Sequence, residues 1–515
     1  MVSSEGSRPR RRALPPESSP IWSAEGDVGA RDALVGDRTA DVVVVGAGIA
    51  GLSTALILAR QGVQVVVLEG RTIGCGTTGH TTAKVSALQG TRYQTISQHH
   101  SADVVAAYAD AQRFAVEWIA SLVDELDIDC DWERRTAYTY ATDVSSLMTV
   151  QEEAVAAAAA GLDVEVTREA GLPFDTTGAV ALAAQGQFDP LRYLHGLARE
   201  LDELPGAVIH EQSRVTGVRG IHRQKVTTEH GSVRAGTVVI CTLLPIVDRG
   251  LFFARGEPKM SYTIAAEIEG DPPRGMYLSA GEPSRSLRTA RHQGGELLVV
   301  GGEGHVVGRH RDTVARYEAL ADWTAEHFDV KQIRARWCAH DVVPSAQLPW
   351  VGTASPATPG VLVAGGFAKW GMTNATAGAH LIADRITGSC DGPSADWARV
   401  FDASGISSRS IEQGARTNLG VAANMVSGWL RTGNGGSGEG SVERSGVVPT
   451  GRSAGPSGET QDRSLVCSHL GGICAWNRAE RTWDCPLHGS RFASDGTVVA
   501  APAVRPMGSV PLPNP

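Results

Sequence analysis

The sequence predicts a large α/β domain followed by a small C-terminal domain that carries a set of metal ligands. Between Asp41 and about residue 388, apolar runs of strand length alternate with helical patterns, as expected of an α/β domain. Residues 434–460 are rich in Gly, Ser and Pro, which is typical of a linker or an irregular surface. Two Cys/His pairs then fall within residues 467–488. We therefore expect at least two domains with different chemistry.

Length, charge and cysteine usage limit the classes of protein to consider. The 515 residues suffice for two or more domains, and the net charge of −9 provides no basic surface for nucleic acid. No apolar run reaches the length needed to span a bilayer. The eight cysteines show no disulfide framework. We therefore expect a cytoplasmic protein without a nucleic-acid or membrane partner.

The first forty residues are expected to be a disordered leader. Their arginines precede Pro15 and Pro16 rather than the apolar stretch that a secretory or twin-arginine signal requires. Residues 391–438 are expected to form a helical connector and linker. The expected division is thus a leader (1–40), a large domain (41–390), the connector (391–438) and the C-terminal domain (439–515).

The large domain begins with a strand, a glycine-rich turn and a helix. Residues 41–45 are typical of a buried parallel strand, and Ile49–Arg60 has the composition of a helix. Residues 63–68 predict a second strand, which ends at Glu69. The turn contains Gly46, Gly48 and Gly51. This context predicts a dinucleotide site, with a pyrophosphate at the helix N-terminus and Glu69 on the ribose. A structural turn without a ligand is the alternative.

Four residues of the C-terminal domain resemble the ligands of the Rieske family. Cys467 and His469 are followed, after fifteen residues, by Cys485 and His488. In that family two cysteines hold one iron of a 2Fe–2S cluster and two histidines hold the other. A zinc site is the alternative, but zinc ligand pairs are usually separated by two or more residues, and Cys467 and His469 by only one. The resemblance implies a one-electron centre.

Residues 41–388 resemble the D-amino-acid-oxidase-like flavoenzymes, which include glycine oxidase and sarcosine dehydrogenase. Residues 74–82 resemble the loop along the flavin, and residues 208–218 a strand that meets the adenine. Residues 360–373 resemble the strand, loop and helix that close the FAD site. No second strand–GxGxxG–helix unit is visible, which disfavours NAD(P)H as a tightly bound substrate. The resemblance implies FAD, contacted by Gly46, Gly48, Gly51, Glu69, Thr77, Thr78, His80, Val215, Gly366, Gly371, Met372 and Thr373.

This resemblance implies an α/β fold with three parts. A Rossmann-like FAD-binding domain would be interleaved with an α+β substrate domain of the D-amino-acid-oxidase type, and a small all-β Rieske domain would follow. Flavoenzymes with a fused Rieske module and the loop seen here at residues 76–84 form a bacterial family, and the resemblance covers nearly the whole chain. It indicates the architecture and the cofactors, FAD and a 2Fe–2S cluster, better than the substrate.

Two residues are candidates for roles in the reaction. Arg288 is a candidate to hold a substrate carboxylate bidentately, and a surface or structural arginine is the alternative. His80 aligns with the histidine bonded to the flavin in dimethylglycine and sarcosine dehydrogenases, and a histidine packed near a non-covalent flavin is the alternative. Related oxidases often have an acid just before Pro349, where this chain has Ala346, Gln347 and Leu348.

The resemblance implies an FAD-dependent oxidoreductase that oxidises a C–N bond of a small amino acid or secondary amine. Hydride would pass to the flavin and electrons would leave singly through the cluster. One alternative is the reverse flow, from a ferredoxin-type donor through the flavin to a substrate. Another is a non-catalytic redox relay or sensor. The expected partners are a small-molecule substrate and an external electron carrier or oxygen.

The cluster segment departs from the respiratory-chain Rieske proteins in two ways. Those proteins brace the ligand loops with a disulfide, from cysteines that match Gly472 and Leu487 here. They also direct a serine and a tyrosine hydroxyl at the cluster, and here Ser490 matches the serine but Phe492 replaces the tyrosine. Because hydrogen bonds to sulfur stabilise the reduced cluster, we expect a potential in the lower half of the Rieske span of roughly −150 to +300 mV.

Overall fold

The computed structural model of the chain describes four stretches of the sequence. They are residues 13–22; residues 30–388 except 248 and 311; residues 394–403 except 399 and 402; and residues 440–508 except 446–447 and 455–458. The predicted connector at residues 391–438 lies largely outside the described residues.

The described residues contain eight α-helices and twenty-four β-strands. The helices are α1 (Ile49–Arg60), α2 (Arg92–Ser97), α3 (Ala102–Glu125), α4 (Val144–Ala159), α5 (Pro190–Glu203), α6 (Val314–His327), α7 (Gly371–Thr387) and α8 (Ser394–Trp397). The first twelve strands are β1 (Gly36–Val45), β2 (Val65–Leu68), β3 (Lys84–Val85), β4 (Glu133–Ala141), β5 (Glu165–Thr167), β6 (Gly178–Gln187), β7 (Ala207–His210), β8 (Gly217–Arg219), β9 (Gln224–Thr227), β10 (Gly231–Ile240), β11 (Gly256–Ile268) and β12 (Met276–Ser279). The others are β13 (Arg285–His292), β14 (Gly295–Val306), β15 (Val330–Pro344), β16 (Trp350–Thr353), β17 (Val361–Gly365), β18 (Ser441–Ser445), β19 (Val448–Ala454), β20 (Thr460–Ser464), β21 (Ala475–Asn477), β22 (Thr482–Asp484), β23 (Arg491–Ala493) and β24 (Val498–Ala500).

The first sheet has the strand order β16-β17-β10-β1-β2-β7, with the hairpin β8–β9 attached to β10. Its strands are parallel from β17 to β7, and β16 is antiparallel. The valines of β1 are buried on both faces, as a parallel strand requires. Val42 and Val44 face the core formed with α1 and α7, whereas Val43 and Val45 face the opposite core. The predicted strand–turn–helix at residues 41–60 is confirmed.

The second sheet has the strand order β15-β11-β14-β13-β12-β4-β6-β3, with β5 paired to β6. Its strands alternate along the chain with those of the first sheet, because β3 to β6 follow β2 and β11 to β15 follow β10. This arrangement confirms a Rossmann-like part interleaved with an α+β part. The two sheets approach each other where the 3₁₀ turn Thr77–His80 contacts β15.

The C-terminal domain contains two small antiparallel sheets, β18-β19-β20 and β21-β22-β23-β24, which confirms the all-β expectation. Strands β18 and β19 fall within residues 434–460, where composition indicated a linker or an irregular surface, and both lie inside the expected C-terminal domain of residues 439–515. The reason for the strands is tertiary packing. Gly451 lies against Trp483 so closely that a Cβ there would come within 2.4 Å of the ring. Gly451 is therefore a small residue that the core of the domain requires, and it does not mark a flexible linker.

The leader expected at residues 1–40 is in part an integral piece of the fold. Ile21 and Trp22 are buried, and Trp22 packs on Trp337 and donates its indole N–H to the carbonyl of Thr81 at 2.8 Å. Strand β1 already begins at Gly36. Composition indicated disorder because the segment is short and polar, whereas the side chains of Ile21 and Trp22 are covered by the second sheet.

The strand expected at residues 208–218 is divided into β7 and β8. β7 pairs in parallel with β2, whereas β8 pairs antiparallel with β9, so the two strands have different partners. The chain turns between them at Gln212, whose φ is 48°. Across the described residues, no helix is both long and apolar enough to cross a membrane.

Candidate functional site

A cavity of about 440 Å³ is lined by all three parts of the molecule. The first sheet contributes the glycine-rich turn and the end of β2, and the second sheet contributes strands β11, β13, β14 and β15. The C-terminal domain contributes Arg491, residues 499–501, Ala503 and Val504. The predicted nucleotide site and the predicted cluster domain therefore share one cavity.

The glycine-rich turn leaves no room for a side chain at Gly46 or Gly51 and little room at Gly48. At Gly46, with a φ of 106°, a Cβ would come within 2.9 Å of the carbonyl oxygen of Cys241. At Gly51 it would come within 1.8 Å of the carbonyl oxygen of Gly46. At Gly48 it would point toward Thr78 Oγ1, 3.0 Å away. This cradle at the N-terminus of α1 fits the pyrophosphate of FAD. Gly46 and Gly48 line the cavity, while Gly51 serves the close packing of the turn.

The end of the cavity next to Glu69 is where the adenosine would bind. The Glu69 carboxylate accepts hydrogen bonds from the backbone N–H groups of Ala47 and Arg71, both at 2.9 Å. Val215 is buried and also lines the cavity, although it lies between β7 and β8 rather than on a strand. The neighbouring Arg214 donates to the carbonyl of Val498 at 3.0 Å, so the C-terminal domain closes this end.

The loop expected along the flavin forms the 3₁₀ turn Thr77–His80, and its three predicted residues line the cavity. Thr77 donates its hydroxyl to the carbonyl of His340 at 2.6 Å, and Thr78 Oγ1 accepts from the N–H of Ile49 at 3.3 Å. His80 Nδ1 donates to the carbonyl of Gly76 at 2.9 Å. Burial lowers the pKa of His80, so the imidazole is neutral near pH 7.

The segment expected to close the FAD site turns sharply after β17 and then begins α7. Gly366 has a φ of 69°, and Gly366, Gly371 and Met372 line the cavity. The N-terminus of α7 therefore opens into it, and a helix N-terminus favours negative charge. Thr373 does not line the cavity, because its hydroxyl accepts a hydrogen bond from Gln89 at 3.0 Å within the protein.

Arg288 is not among the residues that line the cavity, in contrast to its expected contact with a substrate carboxylate. Its Nη1 donates to the carbonyls of Thr82, Ala83 and Phe188 at 2.9–3.2 Å, and its guanidinium lies over Trp22. The structural alternative therefore describes this arginine.

Lys259, which is paired with Glu257, lines the cavity, and so do two lysines that sequence reasoning passed over, Lys84 and Lys369. The latter two lie in segments that resemble those of flavoenzymes, but resemblance to a loop does not indicate which of its side chains face the cavity. Asp341 and His340 line it as well. Burial raises the pKa of Asp341 to about 6 and lowers that of His340 to about 3.

The cluster ligands lie on two loops with the same backbone geometry. The N–H of Cys467 donates to the carbonyl of Gly472, and the N–H of Cys485 donates to that of Ser490, both at 2.8 Å. Each loop then turns at a glycine with positive φ, 75° at Gly471 and 77° at Gly489. The paired loops bring the sulfurs of Cys467 and Cys485 together and the rings of His469 and His488 together.

The donor set fits a 2Fe–2S cluster. The Sγ atoms of Cys467 and Cys485 lie within 4.8 Å of each other, together with that of Cys474. The rings of His469 and His488 are 5.1 Å apart, and each has a buried nitrogen without a hydrogen-bond partner, His469 Nδ1 and His488 Nε2. Buried polar atoms are rarely left unpaired, so these nitrogens are consistent with ligands to a metal centre.

Cys474 is a third sulfur at this site that sequence reasoning missed. It is buried, and hydrogen bonding with Cys474 and then Cys485 and Ser490 lowers the pKa of the Cys467 thiol. The signal was available, since Cys474 lies two residues after Gly472 in the same loop. Its distance from the Cys-x-His pattern hid it. No disulfide joins the seven cysteines within the described stretches.

Where respiratory-chain Rieske proteins have a disulfide, this chain has an apolar contact between Gly472 and Leu487. A Cβ on Gly472 would come within 2.6 Å of Leu487 Cδ1, so the leucine side chain lies directly on the glycine. Ser490 is fully buried, and its hydroxyl oxygen accepts the N–H of Ala503 at 3.1 Å. Phe492 is also fully buried in the core of the domain.

Replacing Phe492 by tyrosine is expected to raise the cluster potential. Phe492→Tyr would add the hydroxyl that respiratory Rieske proteins direct at the cluster, and that donor would stabilise the more negative, reduced state. The native potential is expected in the lower half of the Rieske span. Redox titration followed by electron paramagnetic resonance measures both values, and a downward shift in the variant would contradict the argument.

The flavin is expected to be non-covalent, because His80 Nδ1 is engaged by Gly76 and the residues around His80 differ from those of the covalent enzymes. Acid precipitation of the native protein should therefore give a colourless pellet and free FAD in the supernatant. A yellow pellet would show that the flavin is bonded to the chain.

The C-terminal domain is fixed to the large domain next to its ligand loops. Phe253 packs on the ring of His488 at 4.9 Å, and a Cβ on Gly489 would come within 2.8 Å of His340 Nε2. Further along, Tyr317 donates its hydroxyl to Glu480 at 2.7 Å. The loop that carries His488 is therefore packed against residues that also touch the flavin loop.

Family models and curated relatives match both parts of the chain. The FAD dependent oxidoreductase family matches residues 41–385, and the Rieske [2Fe-2S] domain matches residues 453–511. YhfW of Bacillus subtilis (strain 168), a Rieske 2Fe-2S iron-sulfur protein by name, is 31% identical over 502 residues, covering 95% of this chain and 97% of its own. The gamma-glutamylputrescine oxidoreductase of Escherichia coli (strain K12) is 29% identical over 215 residues, covering 41% of this chain and 50% of its own.

Solved structures share the fold of the large domain. Glycine oxidase from Geobacillus kaustophilus superposes with a TM-score of 0.57 at 18% identity, covering 68% of this chain and 95% of its own. L-proline dehydrogenase from P. horikoshii also gives 0.57 at 18% identity, covering 70% and 98%. The resemblances found in the sequence are confirmed, and the cofactors are FAD and a 2Fe–2S cluster. The chain thus belongs to the FAD dependent oxidoreductase family and carries a C-terminal Rieske [2Fe-2S] domain.

Proposed function

We propose that this oxidoreductase removes two electrons from a C–N bond of a small amino acid or secondary amine and passes them singly to the Rieske cluster. The observation that carries the proposal is the shared cavity. Residues that would hold FAD and residues of the cluster domain form its walls together. The fold neighbours glycine oxidase and L-proline dehydrogenase act, by their names, on amino acids.

The residues around the cavity support this chemistry. FAD, when bound, supplies a two-electron acceptor that can also release electrons one at a time, which suits a one-electron outlet. Gly371 and Met372 at the N-terminus of α7 favour negative charge at the cavity wall. His340 is neutral because its pKa is about 3, so it adds no positive charge between the cavity and Gly489.

An anaerobic screen of amines and amino acids tests the proposal. Flavin absorbance should bleach with a substrate, and the Rieske electron paramagnetic resonance signal should then grow without any added carrier. Bleaching without a cluster signal would contradict the electron route. Reduction by a ferredoxin-type donor, with no amine able to bleach the flavin, would instead support flow in the opposite direction.

A further inference from the structure

The second sheet presents a bed of small residues to the cavity. Ser261 and Thr263 lie on β11, and their neighbours on the adjoining strands are as small. The others that line it are Ser284, Ser286, Gly301, Gly302, Gly304 and Ala339. Such a bed leaves space for a bound molecule and offers it several hydroxyl groups. Two lysine side chains, Lys84 and Lys369, provide the positive charge above it.

Lys84 is a buried lysine that makes no ion pair with an acid among the described residues. It is 9% exposed, and its Nζ donates to the carbonyl of Tyr277 and to Ser286 Oγ, the latter at 2.7 Å. Both acceptors are uncharged. Burial and then the neighbouring cation Arg288 lower the pKa of Lys84. A buried ammonium in this setting is stabilised when an anion binds beside it.

Lys369 extends over the other end of the same bed. A Cβ on Gly304 would lie 3.1 Å from Lys369 Nζ and 3.4 Å from Ser261 Oγ, which locates the ammonium above Gly304. The nearby Asp341 carboxylate accepts from the backbone N–H groups of Val342, at 2.7 Å, and of Lys369 itself. Asp341 thus holds the turn, while the side chain of Lys369 is exposed where it lines the cavity.

The strand register gives the spacing of the two ammonium groups. Ser286, which binds Lys84, is paired with Gly301, and Gly301 is paired with Thr263 on β11. Gly304 lies beside Ser261, only two residues from Thr263, because the pairing of β11 with β14 is irregular between these points. At about 3.4 Å per residue along β11 and about 4.8 Å from one strand to the next, the two points are on the order of 8 Å apart. With ammonium–carboxylate contacts of about 2.8 Å at each end, this spacing suits a short dicarboxylate.

We propose that the cavity takes an amino compound with two carboxylates, one held by Lys84 and the other by Lys369. Only the oxidation of this compound rests on the proposed function; its binding does not. The two cations also favour the uncharged form of a substrate amine, which is the form that can release hydride. Arg288, the carboxylate partner expected from sequence, contributes only through its charge behind Lys84.

Binding of non-reacting acids to the FAD-loaded protein tests the inference. Glutarate has two carboxylates and pentanoate has one on a chain of the same length, and flavin absorbance reports both titrations. Glutarate is expected to bind about tenfold more tightly or better. Lys84→Met and Lys369→Met should each abolish this preference. Lys331→Met is the matched control, because Lys331 does not line the cavity and is paired with Glu269 at 3.2 Å.

Equal binding of glutarate and pentanoate by the native protein, or a preference that survives both substitutions, would overturn the inference. FAD content and the cluster signal verify folding of each variant. Should Lys84→Met not fold, Lys369→Met decides the result, since its side chain is exposed to the cavity. Glutamate and glutamine in the bleaching assay report oxidation, whereas the glutarate titration reports binding alone. The two proposals can therefore fail separately. A glutarate preference with no amine oxidised would refute the proposed reaction and leave the anion site standing.

Discussion

Gly48→Val is expected to abolish FAD binding while the protein still folds. Gly48 lines the cavity at the N-terminus of α1, and its φ of −85° is open to any residue. A Cβ would point toward Thr78 Oγ1 at 3.0 Å, and the valine methyl groups would occupy the space that the pyrophosphate needs. We expect affinity to fall at least ~100-fold, corresponding to about 2.7 kcal/mol.

The measurement is the FAD content of desalted protein, with circular dichroism to verify the fold. Gly217→Val is the matched control, because Gly217 begins β8 and a Cβ there meets nothing within 4 Å. That variant should retain its flavin, since valine suits a strand. One FAD per chain in Gly48→Val would mean that the glycine-rich turn does not bind the pyrophosphate.

His488→Ala is expected to remove the cluster completely. His488 is buried with an unpaired Nε2, its loop is held by the hydrogen bond from Cys485 to Ser490, and an alanine offers iron no ligand. Iron and acid-labile sulfide, which should be equal in the native protein, should both fall to background. Stoichiometric zinc without sulfide in the native protein would refute the cluster assignment.

Cys474→Ala is the control for this loss, because Cys474 lies beside the ligand sulfurs but outside the Cys-x-His and Cys-x-x-His pairs. It should keep the cluster and its Rieske-type signal. FAD should remain bound to His488→Ala, since the glycine-rich turn and Glu69 belong to the large domain. The flavin should dissociate faster than from native protein, because residues 499–501, Ala503 and Val504 of the cluster domain close part of the cavity. Loss of the cluster in Cys474→Ala would show that the Cys474 thiol is a ligand.

Local patterns determined the elements whose physical cause is local. The valines of β1, the glycines after them and the helix Ile49–Arg60 follow from neighbouring residues alone, and the structure has the helix at those bounds. The four cluster ligands are equally local, because each pair lies within one tight loop. A composition-based expectation failed at Trp22 and Gly451, where packing against distant residues decides the structure.

What the sequence by itself determined about this protein was its family, its two cofactors and the residues that form their loops. Only the tertiary structure decided which side chains face the cavity. Arg288 is turned to backbone carbonyls, whereas Lys84 and Lys369 come from strands and turns 285 residues apart and line the same cavity. The same holds for the contact of Phe253 with His488. Side-chain direction depends on which strands become neighbours, and that information is spread over the whole chain.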